Sequence, residues 1–197
     1  CSRAIVDKVH YNEFVKKIKE KVAAIQQGPA EENFYMGPVA SASAEKNVLS
    51  YIEIGKKESK LLIGGEKAEG NGYYIKPTVF YDVDPMARIS QEEIFGPVLA
   101  VIKAKNFDDA IKICNNTKFG LTGAVYTNSR EKINKAKKHL LIGNLYFNRK
   151  CTGALVGGHP FGGFNMSGTD SKAGGRDYLL LFLQAKTMSE KIKKNVK

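Results

Sequence analysis

From Leu61 to Asn148 the sequence alternates short apolar runs with amphipathic stretches, and that rhythm constrains the fold more than any other feature. Leu61-Leu62-Ile63 reads as a strand closed by Gly64-Gly65, followed by a polar, glycine-bearing turn over 66–72. Tyr73 to Tyr81 is aromatic and β-branched and reads as extended, with Pro77 arguing for an edge position or a break. Val98 to Ile102 is apolar throughout, as in a buried strand. Asn106 stands as the N-cap of a helix with Asp108 and Asp109 in its first turn and Phe107, Ala110, Ile111 and Cys114 inward. Thr122 to Thr127 and Asn144 to Asn148 read as strands. Between them Ser129 caps a helix that turns Ile133, Ala136 and Leu140 inward. Strands alternating with helices predict an α/β fold with a largely parallel sheet flanked by helices.

The flanks extend this pattern. Tyr11, Phe14, Val15, Ile18, Val22 and Ile25 recur at helical spacing, so a helix is expected over about 8–27, ended by Gly28-Pro29. A second is expected over about 44–57, with Val48, Leu49, Tyr51 and Ile52 inward. Tyr178 to Leu183 reads as the start of a helix, and the tail from Gln184 as an extended arm. The expected division is a domain over 1–183 and an arm over 184–197.

The longest apolar run, Tyr178 to Leu183, is far short of the roughly 20 residues that span a bilayer, so no membrane partner is expected. The chain starts at Cys1 with no secretory signal and reads as a piece of a longer protein. Its three cysteines are widely spaced and contain no C-x-x-C, which supports neither a disulfide framework nor a zinc site. A reducing, cytoplasmic setting is the easier reading. The net charge of +11 raises a nucleic-acid partner. Yet the lysines are interleaved with Glu and Asp, KIKKNVK is the one basic run, and no nucleic-acid motif is present. A solvated lysine-rich surface explains the charge better. A basic non-catalytic interaction or nucleic-acid-binding domain stands as the alternative from another class.

The stretch from Cys151 to Gly175 holds eight glycines and follows a strand, where open α/β sheets place their sites. It has neither G-x-x-x-x-G-K-[ST] nor a G-x-G-x-x-G, so it is not a phosphate loop. Cys151 beside Lys150, with His159 eight residues on, invites a reading as a nucleophile. A nucleophile needs its base within hydrogen-bond reach, and spacing alone does not supply one.

Three motifs carry a resemblance to a known family. Glu92 to Val98 reads E-E-I-F-G-P-V, Asn115 to Val125 reads N-N-T-K-F-G-L-T-G-A-V, and Pro160 to Gly163 reads P-F-G-G. In this order they resemble the aldehyde dehydrogenase superfamily, over essentially the whole chain. The stretch from Gly143 to Gly175 is similar to that of the 1-pyrroline-5-carboxylate dehydrogenases within it. Cys1-Ser2-Arg3 resembles the end of the family's nucleophile loop. That implies a nucleophilic cysteine three residues before Cys1, with the NAD-binding domain, general-base glutamate and oxyanion asparagine also upstream. The chain would then be a carboxyl-terminal catalytic-domain fragment, inactive alone and holding no catalytic residue.

The resemblance implies roles for five residues. Glu93 would accept hydrogen bonds from the nicotinamide ribose hydroxyls, a task suited to an acceptor-only carboxylate. Phe95 would pack near the nicotinamide ring. Glu92 is expected to be structural or exposed. The backbone N–H groups of Gly153 and Ala154 would hold the substrate carboxylate, and Phe161 would pack on its aliphatic stem. The plainer alternatives are an acidic turn at Glu93, a tight turn at Gly153 and core packing at Phe161. Cys151 would pack beside the substrate loop rather than attack, Cys114 would be core, and His159 a loop residue. No metal is implied. The whole protein would oxidise L-glutamate γ-semialdehyde, in equilibrium with 1-pyrroline-5-carboxylate, to L-glutamate with NAD. An alternative is another NAD(P)-dependent aldehyde dehydrogenase. The arm would make the protein a homo-oligomer.

Overall fold

The structure, a computed structural model, describes residues 1–168 and 172–192. Its strands are Arg3–Asp7 (β1), Lys60–Ile63 (β2), Thr78–Tyr81 (β3), Val98–Ala104 (β4), Phe119–Gly120 (β5), Thr122–Val125 (β6), Asn144–Phe147 (β7) and Phe164–Asn165 (β8). Its α-helices are Tyr11–Ala23 (α1), Ala42–Glu58 (α2), Arg88–Gln91 (α3), Phe107–Asn115 (α4) and Arg130–His139 (α5).

The main sheet is ordered β1-β4-β3-β2. β4 pairs in parallel with β1 and with β3, and β2 lies antiparallel to β3. Successive side chains of a strand point to opposite faces, and here both faces are covered. Val98, Ala100, Ile102 and Ala104 join Phe80, Val48 and Ile52 in one buried cluster. Val79 and Val101 join Tyr11 in a second, packed by Phe14, Val15, Ile18 and Val22 of α1. Both faces of β4 are therefore largely covered, with Lys103 its one exposed residue, which is why it is apolar almost throughout. Two helices are capped as the sequence suggests, and a third by Ser41. The Asn106 and Ser129 side chains accept from the N–H groups of Asp109 (2.9 Å) and Lys132 (3.3 Å). Ser41 does the same for Ala44 at 3.2 Å.

Several expectations change. β1 had no counterpart in the sequence reading. α1 stops at Ala23, well before Gly28-Pro29. The residues beyond it are drawn into loop contacts: the Gln27 amide donates to Ile75 O at 2.8 Å, and Gly28 N to Met36 O at 3.1 Å. Ile25 therefore leaves the helical face. Of the two readings of Pro77, the break holds and the edge position does not: β3 is central and begins just after Pro77, and its first residue, Thr78, supplies the N–H that Pro77 lacks. On α4 the buried residues are Ile111 and Ile113, while Phe107, Ala110 and Cys114 are half-buried. Burial pushes the Cys114 thiol up.

The expected single, largely parallel sheet is also divided. β6 and β7 pair in parallel across α5, but among the described residues they form a sheet separate from β4. Hydrophobic alternation marks a strand without choosing its neighbour. Asn115 at the end of α4 bridges the two parts, donating to His139 O at 2.7 Å and accepting from Leu141 N at 2.9 Å. Tyr178–Phe182 forms a 3₁₀ turn, not an α-helix, with Leu179 and Phe182 each 71% exposed. No helix among the described residues is long and apolar enough to cross a membrane.

Candidate functional site

The first candidate loop, Glu92 to Pro97, links α3 to β4 and has an inward and an outward set of side chains. Ile94 is buried in the core beside Val48, and its carbonyl accepts from the Asn47 amide at 3.3 Å. Glu92 is held by two groups. Arg88 Nε and Nη2 donate to its two oxygens at 2.9 and 3.0 Å, and Tyr51 Oη donates at 2.6 Å. Arg88 foremost, then Tyr51, brings the Glu92 carboxyl down to about 2, and the same bond raises the Tyr51 phenol. Gly96 closes the inner set: a Cβ there would lie 2.4 Å from Val48 Cγ2. Glu93 and Phe95 alternate with these anchors and are exposed. Phe95 is 86% exposed and has φ +56°. A bulky residue in the left-handed region carries a strain of roughly 1–2 kcal/mol. An exposed aromatic held in that conformation has neither packing nor backbone ease to explain it.

The second candidate loop begins where β7 ends. Gly153 has φ +82°, which L side chains rarely adopt. Neither Gly153 N nor Ala154 N has an acceptor among the described residues. The Arg149 guanidinium lies behind the turn, 3.1 Å from Thr152 O, 3.5 Å from Gly153 O and 4.7 Å from the Tyr146 ring centroid. Phe161 is 42% exposed and is fixed through its backbone, which exchanges bonds of 2.8 and 3.0 Å with Ala173. The buried Asn144 side chain fastens the neighbouring P-F-G-G segment. It donates to Pro160 O at 3.1 Å and accepts from Gly162 N at 3.2 Å. Lys172 Nζ donates to Gly143 O from the far side. Gly153, Ala154 and Phe161 thus share one loop, and Glu93 and Phe95 another. Among the described residues no hydrogen bond or ion pair joins the two loops. Thr169, Asp170 and Ser171 of the glycine-rich stretch lie outside the described residues.

Cys151 is half-buried. His159 accepts from Leu155 N at 3.2 Å through Nδ1 and meets the Tyr146 ring edge-on, centroids 6.3 Å apart. That nitrogen is occupied by the loop's own backbone. Among the described residues no cluster of three His, Cys, Asp or Glu is placed to hold a metal. Tyr51, Asn144 and Arg149 were not singled out for the site from the sequence. Each acts at a distance along the chain or through backbone carbonyls, which no motif spells out.

Beyond these two loops, the chain as a whole matches a known group of proteins. The model described as the aldehyde dehydrogenase family matches residues 1–188, and the chain belongs to that family. It is 56% identical over 191 residues to a 1-pyrroline-5-carboxylate dehydrogenase of Anoxybacillus flavithermus, covering 96% of this chain and 37% of that protein. A Thermus 1-pyrroline-5-carboxylate dehydrogenase crystal structure with bound NAD superposes with a TM-score of 0.92. It is 53% identical, over 93% of this chain and 36% of that one. A Staphylococcus aureus betaine aldehyde dehydrogenase in complex with NAD+ is similar at TM-score 0.88 and 28% identity, over 94% and 37% of the two chains. The chain therefore spans 37% of the length of the curated relatives it matches.

Proposed function

We propose that the whole protein oxidises L-glutamate γ-semialdehyde, in equilibrium with 1-pyrroline-5-carboxylate, to L-glutamate with NAD. The observation that carries this reading is the pair of N–H groups at Gly153 and Ala154 that have no acceptor among the described residues, in the same loop as the half-exposed Phe161. Successive backbone donors suit a carboxylate, and an aromatic face suits a short methylene stem. The 56% identity to a 1-pyrroline-5-carboxylate dehydrogenase supports the same substrate. Glu93 and Phe95 fit NAD by chemistry: an exposed acceptor-only carboxylate for the ribose diol and an exposed ring for the nicotinamide. NAD, when bound, accepts the hydride that leaves the aldehyde carbon. The residues of this chain hold, orient and shield the reactants. The attacking thiolate and the base belong to the remaining length that the relatives have. The 197-residue chain alone is inactive.

The exposed apolar side chains of Leu179 to Leu183, and the stretch 184–192 that forms neither helix nor strand, support pairing with a second copy, in a homo-oligomer with a domain over 1–183 and an arm over 184–197. Residues 193–197 of that arm lie outside the described residues. The protein works in the cytoplasm. The test is NADH formation from the semialdehyde, measured for the protein at its relatives' full length and for the 197-residue chain. Turnover by the first alone supports the reading. Turnover by the short chain overturns it and returns Cys151 as a nucleophile.

A further inference from the structure

Arg149 makes contacts that the carboxylate reading does not use. Its Nη2 lies 3.1 Å from Thr152 O and 3.5 Å from Gly153 O. Its guanidinium carbon stands 4.7 Å from the centroid of the Tyr146 ring, and Tyr146 is buried in β7. One end of the contact is therefore anchored on a rigid strand, and the other touches two consecutive carbonyls.

A peptide unit is planar and trans, so its C=O and the next residue's N–H point in opposite directions. Turning Thr152 O toward Arg149 turns Gly153 N–H away from it. Turning Gly153 O toward Arg149 does the same for Ala154 N–H. These two donors are the ones without a protein acceptor among the described residues. The φ of +82° at Gly153 lets two successive carbonyls reach the same guanidinium. The guanidinium charge also lies behind the turn, where it favours an anion in front of it.

We propose that Arg149 is a positioning residue, which aims the Gly153 and Ala154 N–H groups at the substrate carboxylate by holding the two carbonyls behind them. This rests on the carboxylate-anchor reading above. The guanidinium fork matters as well as the charge, because a lysine ammonium is a point donor on a flexible stem and does not stack on Tyr146 in the same way.

The experiment uses the protein at its relatives' full length and compares Arg149→Ala and Arg149→Lys with the parent. Three quantities are measured: KM and kcat for L-glutamate γ-semialdehyde, the same constants for hexanal, and the thermal midpoint. For Arg149→Ala the semialdehyde KM should rise about tenfold with kcat within about twofold, while the hexanal constants stay put. Arg149→Lys should recover only part of the loss. An unchanged semialdehyde KM, an equal rise for both aldehydes, or full recovery by lysine overturns the proposal. Should the alanine variant not fold, the lysine variant decides by the same split between the two aldehydes. A parent protein with no preference for the semialdehyde over hexanal sinks the anchor reading itself. A parent with that preference and an indifferent Arg149 sinks only the role given to Arg149.

Discussion

Replacing Tyr51 by Phe removes one oxygen and leaves the ring in place. The lost bond is the 2.6 Å donation to Glu92 Oε2. Hydrogen bonds to charged groups contribute about 1.5–3 kcal/mol. The Glu92 side chain is 34% exposed and keeps its Arg88 partner, so solvent and arginine make good part of the loss. The expected cost is about 1 kcal/mol of unfolding free energy at neutral pH. Glu92 also fixes the loop that presents Glu93 and Phe95. If the same energy is needed to hold that loop for the cofactor, KM for NAD rises about fivefold. The pH dependence gives the sharper check. The Glu92 carboxyl is depressed from 4.5 to about 2 by Arg88 and Tyr51, so its stabilisation is complete above pH 4.5 and disappears as pH falls toward 2. The difference between Tyr51→Phe and the parent should therefore be flat above pH 4.5 and shrink below it. Urea unfolding across pH 2.5–7 and steady-state kinetics with NAD varied measure both effects. A cost that is absent at pH 7, or one that stays constant down to low pH, would refute the reasoning.

Three other outcomes follow from the packing and the loops. Phe80 is fully buried and lies against Gly55, where a Cβ would come within 2.7 Å of its ring, so Phe80→Ala should cost about 3–5 kcal/mol in urea unfolding. A cost under about 1 kcal/mol would mean the sheet core is not packed as described. Glu93→Gln keeps the shape of the side chain and loses its charge, so KM for NAD should rise by about tenfold with little change in KM for the aldehyde. The reverse split would move Glu93 to the substrate side. Cys151→Ser should leave kcat within about twofold, whereas a nucleophile replaced in this way loses activity by orders of magnitude.

The parts legible in the sequence are those whose cause is local. Asn106 and Ser129 cap helices with their own side chains, and Val98 to Ile102 is apolar because both faces of β4 are covered. The parts that were not legible depend on partners far along the chain. β1 is five residues long with only Ala4, Ile5 and Val6 apolar, too short a run to mark a strand by itself, and its partner lies far along the chain, with Ala4 paired to Val101. Pro77 allows an edge position or a break, and the sequence alone does not show that the ladder begins one residue later in a central strand. The split of β6 and β7 from the main sheet was hidden for the same reason. In the site, the resemblance singled out Glu93 and Phe95 and left Glu92 structural or exposed; that Glu92 and Ile94 are the inward pair is seen only in the structure. The clamp on Glu92 could not be read from the motif, because Tyr51 reaches Glu92 across 41 positions. Asn144 likewise meets Pro160 across 16 positions. Arg149 is close in sequence to what it holds, but it acts on carbonyls, which every residue has.

The proposed function requires the loop after β7 to read a carboxylate. Its most direct measurement is the ratio of kcat/KM for L-glutamate γ-semialdehyde to that for hexanal, with NAD saturating, in the protein at its relatives' full length. Two backbone donors to one carboxylate, at about 1.5 kcal/mol each, predict a preference of about 10² for the semialdehyde. A ratio near one would contradict the account, because Gly153 and Ala154 would then be an ordinary turn.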